Sequence, residues 1–538
     1  MKTKLLFYFT TVTMMFTGFI ANSQAPVLGS SANFVLFSSN GAVSCNVTNS
    51  LMTHLTGNVG TNTSGATSTG FGNVNGVMQD NNLASSQAAA DLQIAYNQIN
   101  SLIPNYFPSS QLGNGNTLNP GVYSINSAAV LNGNLILDGQ NNPNSVFVFK
   151  IQGSFSTNSL SQITLINGAL ACNVFWKTEG LVDMSSGTKM KGTIVAHNAA
   201  ILMDVNSTLE GRLLSTTGAI TVNGINGRIP QGCGSPTLTG PVAPNLASTV
   251  CYAIFSGVDD VTNSGVTNVT GDIGTNVGLT TGYNSMNVNG TIHPIPDNST
   301  AQCAADLLNV RTYLNALPQD IQLLYPAQFG NDLLLTPHTY LLSGGTVLTN
   351  SLFLDAQNYA NAVFVIKIYG ALSTSTFANV VLLNGAQAKN IYWIVNGAVA
   401  INDYSQIKGT VVCNNGAINV GTGANVEGRV LTTNGALTTS AITDNITAGC
   451  TILTTNSVVN KNNISIYPNP FKDVFTIDVN DENNNSMFSV YDLLGKIVFE
   501  QNINQNSTQV NLNLQSGLYI YKLVNKNGLI QTGKIISE

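Results

Sequence analysis

Few residues in this chain are equipped for proton transfer, nucleophilic attack or metal ligation. The four histidines, His54, His197, His293 and His338, show no metal-ligand spacing. No HExxH, phosphate loop or nucleophile-elbow serine occurs, although catalysis of those kinds needs such a constellation. One charged pair recurs, Glu210 with Arg212 and Glu427 with Arg429. Residues i and i+2 of a strand share a face, so the spacing predicts an ion pair bracing a coil. Asp183, Asp204 and Asp403 are scattered. The pattern argues against an enzyme and calls for no metal or cofactor.

What the chain repeats is short, neutral and polar. Thr216-Thr217-Gly218-Ala219-Ile220-Thr221-Val222-Asn223 corresponds to Thr433-Asn434-Gly435-Ala436-Leu437-Thr438-Thr439. Asn414-Asn415-Gly416-Ala417-Ile418-Asn419-Val420 precedes the second run by 19 residues. With Ile220, Ile418 and Leu437 turned inward, strand alternation puts three sets outward together: Thr217, Ala219 and Thr221; Asn415, Ala417 and Asn419; Asn434, Ala436 and Thr438. Strands stacked about 4.8 Å apart would make of these a flat array of hydroxyls, amides and methyls. Such an array has no concavity to grip a small ligand and suits a flat, repeating partner, of which ice is one. Thr and Asn also favour exposed strands and turns on their own account.

Positioning this array requires a repeating scaffold, and the middle of the chain is a duplication. Val146-Phe147-Val148-Phe149-Lys150-Ile151 recurs as Val363-Phe364-Val365-Ile366-Lys367-Ile368, an offset of 217, which also carries Leu209-Glu210-Gly211-Arg212 onto Val426-Glu427-Gly428-Arg429. Within each copy a period of 19 separates Asn173, Gly192 and Gly211, and again Asn390, Gly409 and Gly428. A period near 20 rich in β-branched residues is the signature of a solenoid whose coils bury their apolar sides by stacking. Ala88, Leu92, Ala95, Ile99 and Leu102, and in the second copy Leu307, Val310, Leu314 and Leu317, form helical stripes. A lone helix must bury its stripe, and the side of the β-helix is the partner at hand.

The fold class is therefore mainly β: two tandem right-handed β-helix (solenoid) domains, each with one long packing α-helix, followed by a small β-sandwich. Lys2 and Lys4 before the apolar run Leu5–Ile20 read as a secretory signal peptide over 1–25. The repeats occupy 26–234 and 246–450, joined by a Pro-rich spacer at 235–245. Beyond a linker at 451–462, the charge density roughly doubles and short strands fill 463–538. No other segment has the roughly 20 apolar residues that cross a bilayer. A net charge of −6 with only 8% charged residues leaves no electrostatic basis for nucleic-acid binding. The expected product is an extracellular monomer, secreted or anchored at the cell surface.

Export permits disulfides, and seven cysteines leave at least one thiol unpaired within the chain. Cys413, mid-coil among apolar and small neighbours, is predicted to be a buried free thiol. Cys251 with Cys303, both in the second copy's non-coil region, is the bridge expected. Cys233 and Cys450 hold the same place in each copy and would close the last coil.

The ordered set Leu28-Gly29-Ser30-Ser31-Ala32-Asn33-Phe34, Thr56-Gly57-Asn58-Val59-Gly60, Ala89-Ala90-Asp91-Leu92, Asn173-Val174-Phe175-Trp176 and Glu210-Gly211-Arg212, with its second-copy equivalents, covers most of the chain. It resembles bacterial and fungal ice-binding proteins built as a discontinuous β-helix beside one long helix. The resemblance implies adsorption to ice planes, thermal hysteresis and inhibition of recrystallisation, with capping regions between the first strands and the helix. Tyr467-Pro468-Asn469-Pro470-Phe471, Tyr491-Asp492-Leu493-Leu494-Gly495-Lys496 and Gly517-Leu518-Tyr519 resemble the C-terminal sorting domain of type IX secretion, which implies a Bacteroidetes-type bacterium and the secretion machinery as a partner. The first copy departs from the ice-binding pattern at His197, Leu202, Glu179 and Asp183, whereas Asn396, Asn415 and Asn434 keep it across three coils of the second. The second copy is accordingly expected to bind ice more strongly. The alternative is an adhesin that uses the same polar faces on a surface glycan or matrix polymer; the two tryptophans, Trp176 and Trp393, sit beside core residues and read as structural.

Overall fold

The computed structural model describes residues 24–446 and 464–538, apart from 47, 49–51, 235–236, 480–485 and 525–529. The leader except its last two residues, Cys450 and the 451–462 linker lie outside the described residues. The chain divides into two compact units, Met1–Gly449 and Cys450–Glu538, so both repeats share the first.

Each repeat winds as parallel coils with three faces: one beneath a helix, one flat, and a third that closes the prism. The flat face of copy one runs Val43–Cys45, Ile220–Val222, Ile201–Met203, Val182–Met184, Phe155–Thr157, Ala129–Asn132, Gln111–Gly113. The chain's first coil thus stacks on its last, Val43–Cys45 pairing with Ile220–Val222, and copy two repeats this with Val261–Ser264 against Leu437–Ser440. The β-helix is discontinuous in the sense the resemblance implies. In copy one, rings stack along the axis from the partly exposed Tyr106 through the buried Tyr123 and Phe149 to Trp176, with centroids 4.8, 5.0 and 3.9 Å apart. The buried indole N–H groups of Trp176 and Trp393 donate to the carbonyls of Lys191 and Lys408 at 3.0 and 2.9 Å. Both tryptophans are core residues, as expected.

The 19-residue period has a steric cause. Strands Lys189–Ala196 and Thr208–Ser215, like Gln406–Cys413 and Asn425–Thr432, each cover two faces and turn between them at Gly192, Gly211, Gly409 and Gly428. A Cβ on Gly211 would collide with the Gly192 carbonyl, and one on Gly428 with that of Gly409. Gly409 also has φ +108°, where a side chain is strained. The same corner overturns the expected Glu210–Arg212 and Glu427–Arg429 ion pairs. The bend at the intervening glycine sends the two side chains onto different faces. Glu210 meets Lys191 and Arg228 in neighbouring coils at 2.6 and 3.4 Å, and Glu427 meets Lys408 at 2.8 Å. Arg212 and Arg429 turn under the helix side and donate to the carbonyls of Ala32 and Val250, each in the 3-10 turn that opens its copy.

That opening turn is also held from the helix. α1 (Leu83–Ser101) carries Asp91, which accepts from the Ser30 N–H and hydroxyl at 2.7 and 2.6 Å; α2 (Asn298–Ala316) carries Asp306, which accepts from the same groups of Ser248. The hydrogen bonds from Ser30 hold the Asp91 carboxyl below its ordinary value. Both helices start in capping boxes, Asn82 with Ser85 and Asp297 with Thr300. Their last carbonyls accept from buried lysines of the sheet beneath: Lys150 Nζ reaches Asn100 and Leu102 at 2.8 and 2.7 Å, and Lys367 Nζ reaches Asn315 and Leu317 at 2.9 and 2.7 Å. A cation at a helix C-terminus also complements the macrodipole. The predicted stripes are buried, Ala88, Leu92, Ala95 and Ile99 in α1 and Leu307, Val310 and Leu314 in α2.

The cysteines depart from expectation in part. Cys413 is a buried free thiol, as predicted; its Sγ approaches the Gly397 and Gly416 carbonyls at 3.0 and 3.1 Å. Cys251 and Cys303 are not bridged to each other. Cys303 lies in the buried stripe of α2, packed among Phe255, Leu307 and Tyr392, and is free. Cys251 is disulfide-bonded to a partner outside the described residues. Cys233 bridges Cys172 across 61 residues, tying the chain beyond the last coil to the turn Ala171–Asn173. The C-terminal unit packs a three-stranded and a four-stranded antiparallel sheet on one core that includes Phe475, Phe488, Val490 and Leu523, which is the expected sandwich.

Two consequences are measurable. Lys367→Met leaves two helix-end carbonyls without their buried donor and should cost about 2 kcal/mol; denaturation followed by Trp393 fluorescence in a Trp176→Phe background reads it in copy two alone. Asp444 replaces Gly227 of copy one at the 217 offset, fully buried, with neither carboxyl oxygen hydrogen-bonded. Burial raises its pKa well above the ordinary value, against the pull of Arg429. Because the folded value lies above the unfolded one, the loss of stability starts near the unfolded value, about pH 4, and grows as pH rises toward the folded one. Asp444→Asn should therefore be near-neutral at pH 4 and progressively stabilising toward pH 8 in urea titrations.

Candidate functional site

The flat face of copy two is a ladder in register. Through successive pairings Val347, Ser373, Ala400, Asn419, Thr438, Thr262 and Thr281 stand side by side, the first five each between buried neighbours such as Leu372 and Thr374 or Ile418 and Val420. Two residues earlier runs a second row of four alanines, Ala371, Ala398, Ala417 and Ala436, joined because each carbonyl from Ala371 to Ala436 accepts from the next strand inward. A third row lies on the preceding bends, Asn396, Asn415 and Asn434. Asn415 has φ +56°, a conformation that Asn tolerates better than most side chains, so part of its preference is the turn's. The rows are laced sideways: the Thr438 hydroxyl donates to Asn419 Oδ1 at 2.8 Å.

Copy one aligns Gln111, Val130, Ser156, Asp183, Leu202, Thr221 and Ser44 in the equivalent row. Leu202 is 38% exposed and Asp183 is exposed beside it. The neighbouring edge adds Glu179, which pairs with Lys177 and accepts from the Tyr96 hydroxyl at 3.0 Å, and His197, which stacks on Tyr96 at 4.1 Å. The small polar surface is confined to the end formed by Thr217, Ala219, Thr221 and Ser44, where Thr217 donates to Asn198 Oδ1 at 3.0 Å.

The structure puts all nine residues singled out in the sequence on the solvent side of the flat faces. Thr217, Ala219, Asn415, Ala417, Asn419, Asn434 and Thr438 are exposed; Thr221 and Ala436 are half-buried. Sequence reasoning missed Thr262 and Thr281, which lie some 160–180 residues from Thr438 in the chain and beside it in the sheet. The alternation Val261-Thr262-Asn263 was the available signal. The bends are fixed from inside by buried hydroxyls. Ser215 accepts from the Gly218 N–H at 2.7 Å and donates to the Ala199 carbonyl at 2.8 Å, and Thr432 donates to Gly416 at 2.7 Å. Cys413 stands in register between Val395 and Thr432, and its thiol approaches the same Gly416 carbonyl to which the Thr432 hydroxyl donates.

Among the described residues no group of three or more His, Cys, Asp or Glu is arranged to hold a metal ion. A cleft of about 760 Å³ between the copies is lined by Lys191, Glu210, Arg228 and His338, with Glu210 already paired to both cations.

Two stretches of the chain, 42–226 and 255–447, match the family described as Ice-binding-like, and 465–538 match the secretion system C-terminal sorting domain. The chain is 33% identical over 226 residues to an ice-binding protein of Nostoc sp. (strain HG1), spanning 42% of this chain and 81% of that protein. It is 35% identical over 144 residues to ice-binding protein 1 of Shewanella frigidimarina, 26% of this chain and 16% of that one. The crystal structure of an ice-binding protein from an Antarctic bacterium of the Flavobacteriaceae superposes with a TM-score of 0.77 at 59% identity, covering 79% of this chain and all of that one. Its cover extends over both repeats, which no single-copy relative could supply. The chain belongs to the Ice-binding-like family, with two tandem copies of the family's domain and a secretion system C-terminal sorting domain behind them.

Proposed function

We propose that this protein is exported through its type IX sorting domain and adsorbs to ice outside the cell or at its surface, chiefly through the flat face of copy two. The observation that carries this reading is the unbroken ladder Ser373, Ala400, Asn419, Thr438, Thr262, Thr281 beside four aligned alanines. Methyl groups restrict the first shell of water next to them, and hydroxyls and amides at one strand spacing hydrogen-bond that water into a repeating layer. Adsorption of this kind needs no catalytic group, and it halts growth of the covered plane, giving thermal hysteresis and recrystallisation inhibition. The carboxylate of Asp183 and the bulk of Leu202 interrupt the same layer on copy one, which leaves copy one the weaker partner.

Ice-affinity partitioning of the fluorescently labelled chain tests this. The parent should enter growing ice; Asn419→Tyr/Thr438→Tyr should lower its enrichment on the order of tenfold through loss of the stronger of two linked sites, and Thr217→Tyr/Thr221→Tyr should lower it less. A larger loss from the copy-one pair would sink the assignment to copy two, and exclusion of the parent from ice would sink the function itself. Asp183→Ser/Leu202→Thr in the copy-two-defective background should restore part of the enrichment by completing the copy-one ladder.

One observation favours a second reading, adhesion to a glycan. Phe377 and Tyr404, 68% and 50% exposed, stack 5.0 Å apart on the turns that follow the flat-face strands of copy two. Exposed rings of this kind serve sugars by apolar contact. Retained polymer binding by a parent that ice excludes, lost in Phe377→Ser/Tyr404→Ser, would favour it.

A further inference from the structure

The two copies meet through a short motif in the cap of copy one. Asn73 forms a reciprocal pair with the backbone of copy two, its Nδ2 donating to the Tyr325 carbonyl and its Oδ1 accepting from the Tyr325 N–H, both at 2.9 Å. Asn75 donates to the Thr336 hydroxyl at 3.1 Å and accepts from the Tyr340 hydroxyl at 2.7 Å. Val77 packs on the core of copy two. At 8% and 2% exposure, Asn73 and Asn75 are sealed in this contact.

The motif Asn-Val-Asn-Gly at 73–76 recurs without change at 287–290. It holds the same place in the cap of copy two: the carbonyl of Asn75 accepts from Gly57 N–H and that of Asn289 from Gly271 N–H, both at 2.9 Å, and Thr56 pairs with Asn75 as Thr270 pairs with Asn289. Here, however, Asn289 and Gly290 are exposed and Asn287 and Val288 half-buried, with Met286 86% exposed beside them.

The receiving surface also recurs. Ile321 of copy two pairs with Tyr340, and Tyr106 of copy one bridges Tyr123. The hydroxyl of Tyr123 lies against the Asn119 carbonyl as that of Tyr340 lies against the Thr336 carbonyl. Ile321, at the interface, is 5% exposed; Tyr106 is 43% exposed, with Phe107 at 70% and Ile103 at 84%. Both halves of an interface that the chain already uses are thus present a second time, at opposite ends of the tandem, and uncovered by the described residues.

We infer that the chain associates head to tail with further copies of itself, the 287–290 cap of one molecule docking on the first coil of copy one in the next. The contact is heterologous, so it extends rather than closing on a pair. Tyr106 and Asn119 in place of Ile321 and Thr336 change the fit, and a contact between molecules lacks the effective concentration of the linked one, so the association is reversible and grows with concentration. A string of linked faces would adsorb to one crystal as a multivalent unit. The expectation of a monomer, drawn from the sequence alone, did not weigh this repetition.

Sedimentation velocity and light scattering on the full chain across a wide concentration range test the inference. The weight-average mass should rise continuously past that of a dimer. Asn289→Arg, which spoils the cap, and Phe107→Asp, which spoils the receiving end, change exposed side chains, and circular dichroism with tryptophan fluorescence would establish that both variants fold. Each alone should stay monomeric, while their equimolar mixture should yield dimers and nothing larger, since one intact cap meets one intact receiving end. A parent that stays monomeric at every concentration, a parent that stops at a symmetric dimer, association surviving in either single variant, or a mixture that stays monomeric would each overturn it.

Discussion

Where a coil leaves its third face and passes beneath the helix, a glycine lies against the carbonyl of the glycine in the neighbouring coil, closer than any Cβ allows. This approach sets the pitch of the solenoid. It lets an eight-residue strand turn a corner without losing its parallel ladder, so that Gly192 meets Gly211 and Gly409 meets Gly428 in full register. With the corner fixed, the outward residues of the flat face fall into columns at one strand spacing.

The second requirement is to bring the first coil of each copy back to the last. Parallel pairing alone leaves that coil entropically free, because some 180 residues separate Leu36 from its partner Leu213. The opening turn is therefore gripped twice, by Arg212 from the last coil and Asp91 from α1 in copy one, and by Arg429 and Asp306 in copy two. The charges that look chemically promising in the sequence are thus engaged in assembly. Burial lowers the Arg429 pKa, and the buried guanidinium is balanced by carbonyl acceptors rather than by a carboxylate at hydrogen-bonding distance. Glu210 and Glu427 serve the third face, away from the flat one.

The two copies share this frame and differ in what they place upon it. Copy two keeps charge off most of its ladder, with Asp260 one strand in from the end of the sheet, whereas copy one carries Asp183 and Leu202 in mid-face. An ordered water layer depends on uniform spacing and weak, evenly distributed hydrogen bonds, and a carboxylate imposes its own hydration shell. The differing side chains stand on the solvent side of the flat face, while the inward positions that pack the core are apolar or small in both copies.

The sequence by itself determined the duplication, the solenoid period, the two packing helices, the C-terminal sandwich and the outward side of nine face residues, because each follows from local periodicity and strand alternation. Trp176, Trp393 and the thiol of Cys413 were legible for the same reason: their neighbours alternate as core. Tertiary structure alone decided what depends on which coil lies next to which. It joined Thr262 and Thr281 to Thr438 and paired Cys172 with Cys233. It left Cys303 free under α2, and it separated Glu210 from Arg212 by a corner that spacing cannot show. These are contacts between segments far apart in the chain, and no local pattern encodes the register in which distant coils meet; that register is set by the glycine corners and the clamps on the opening turn acting together.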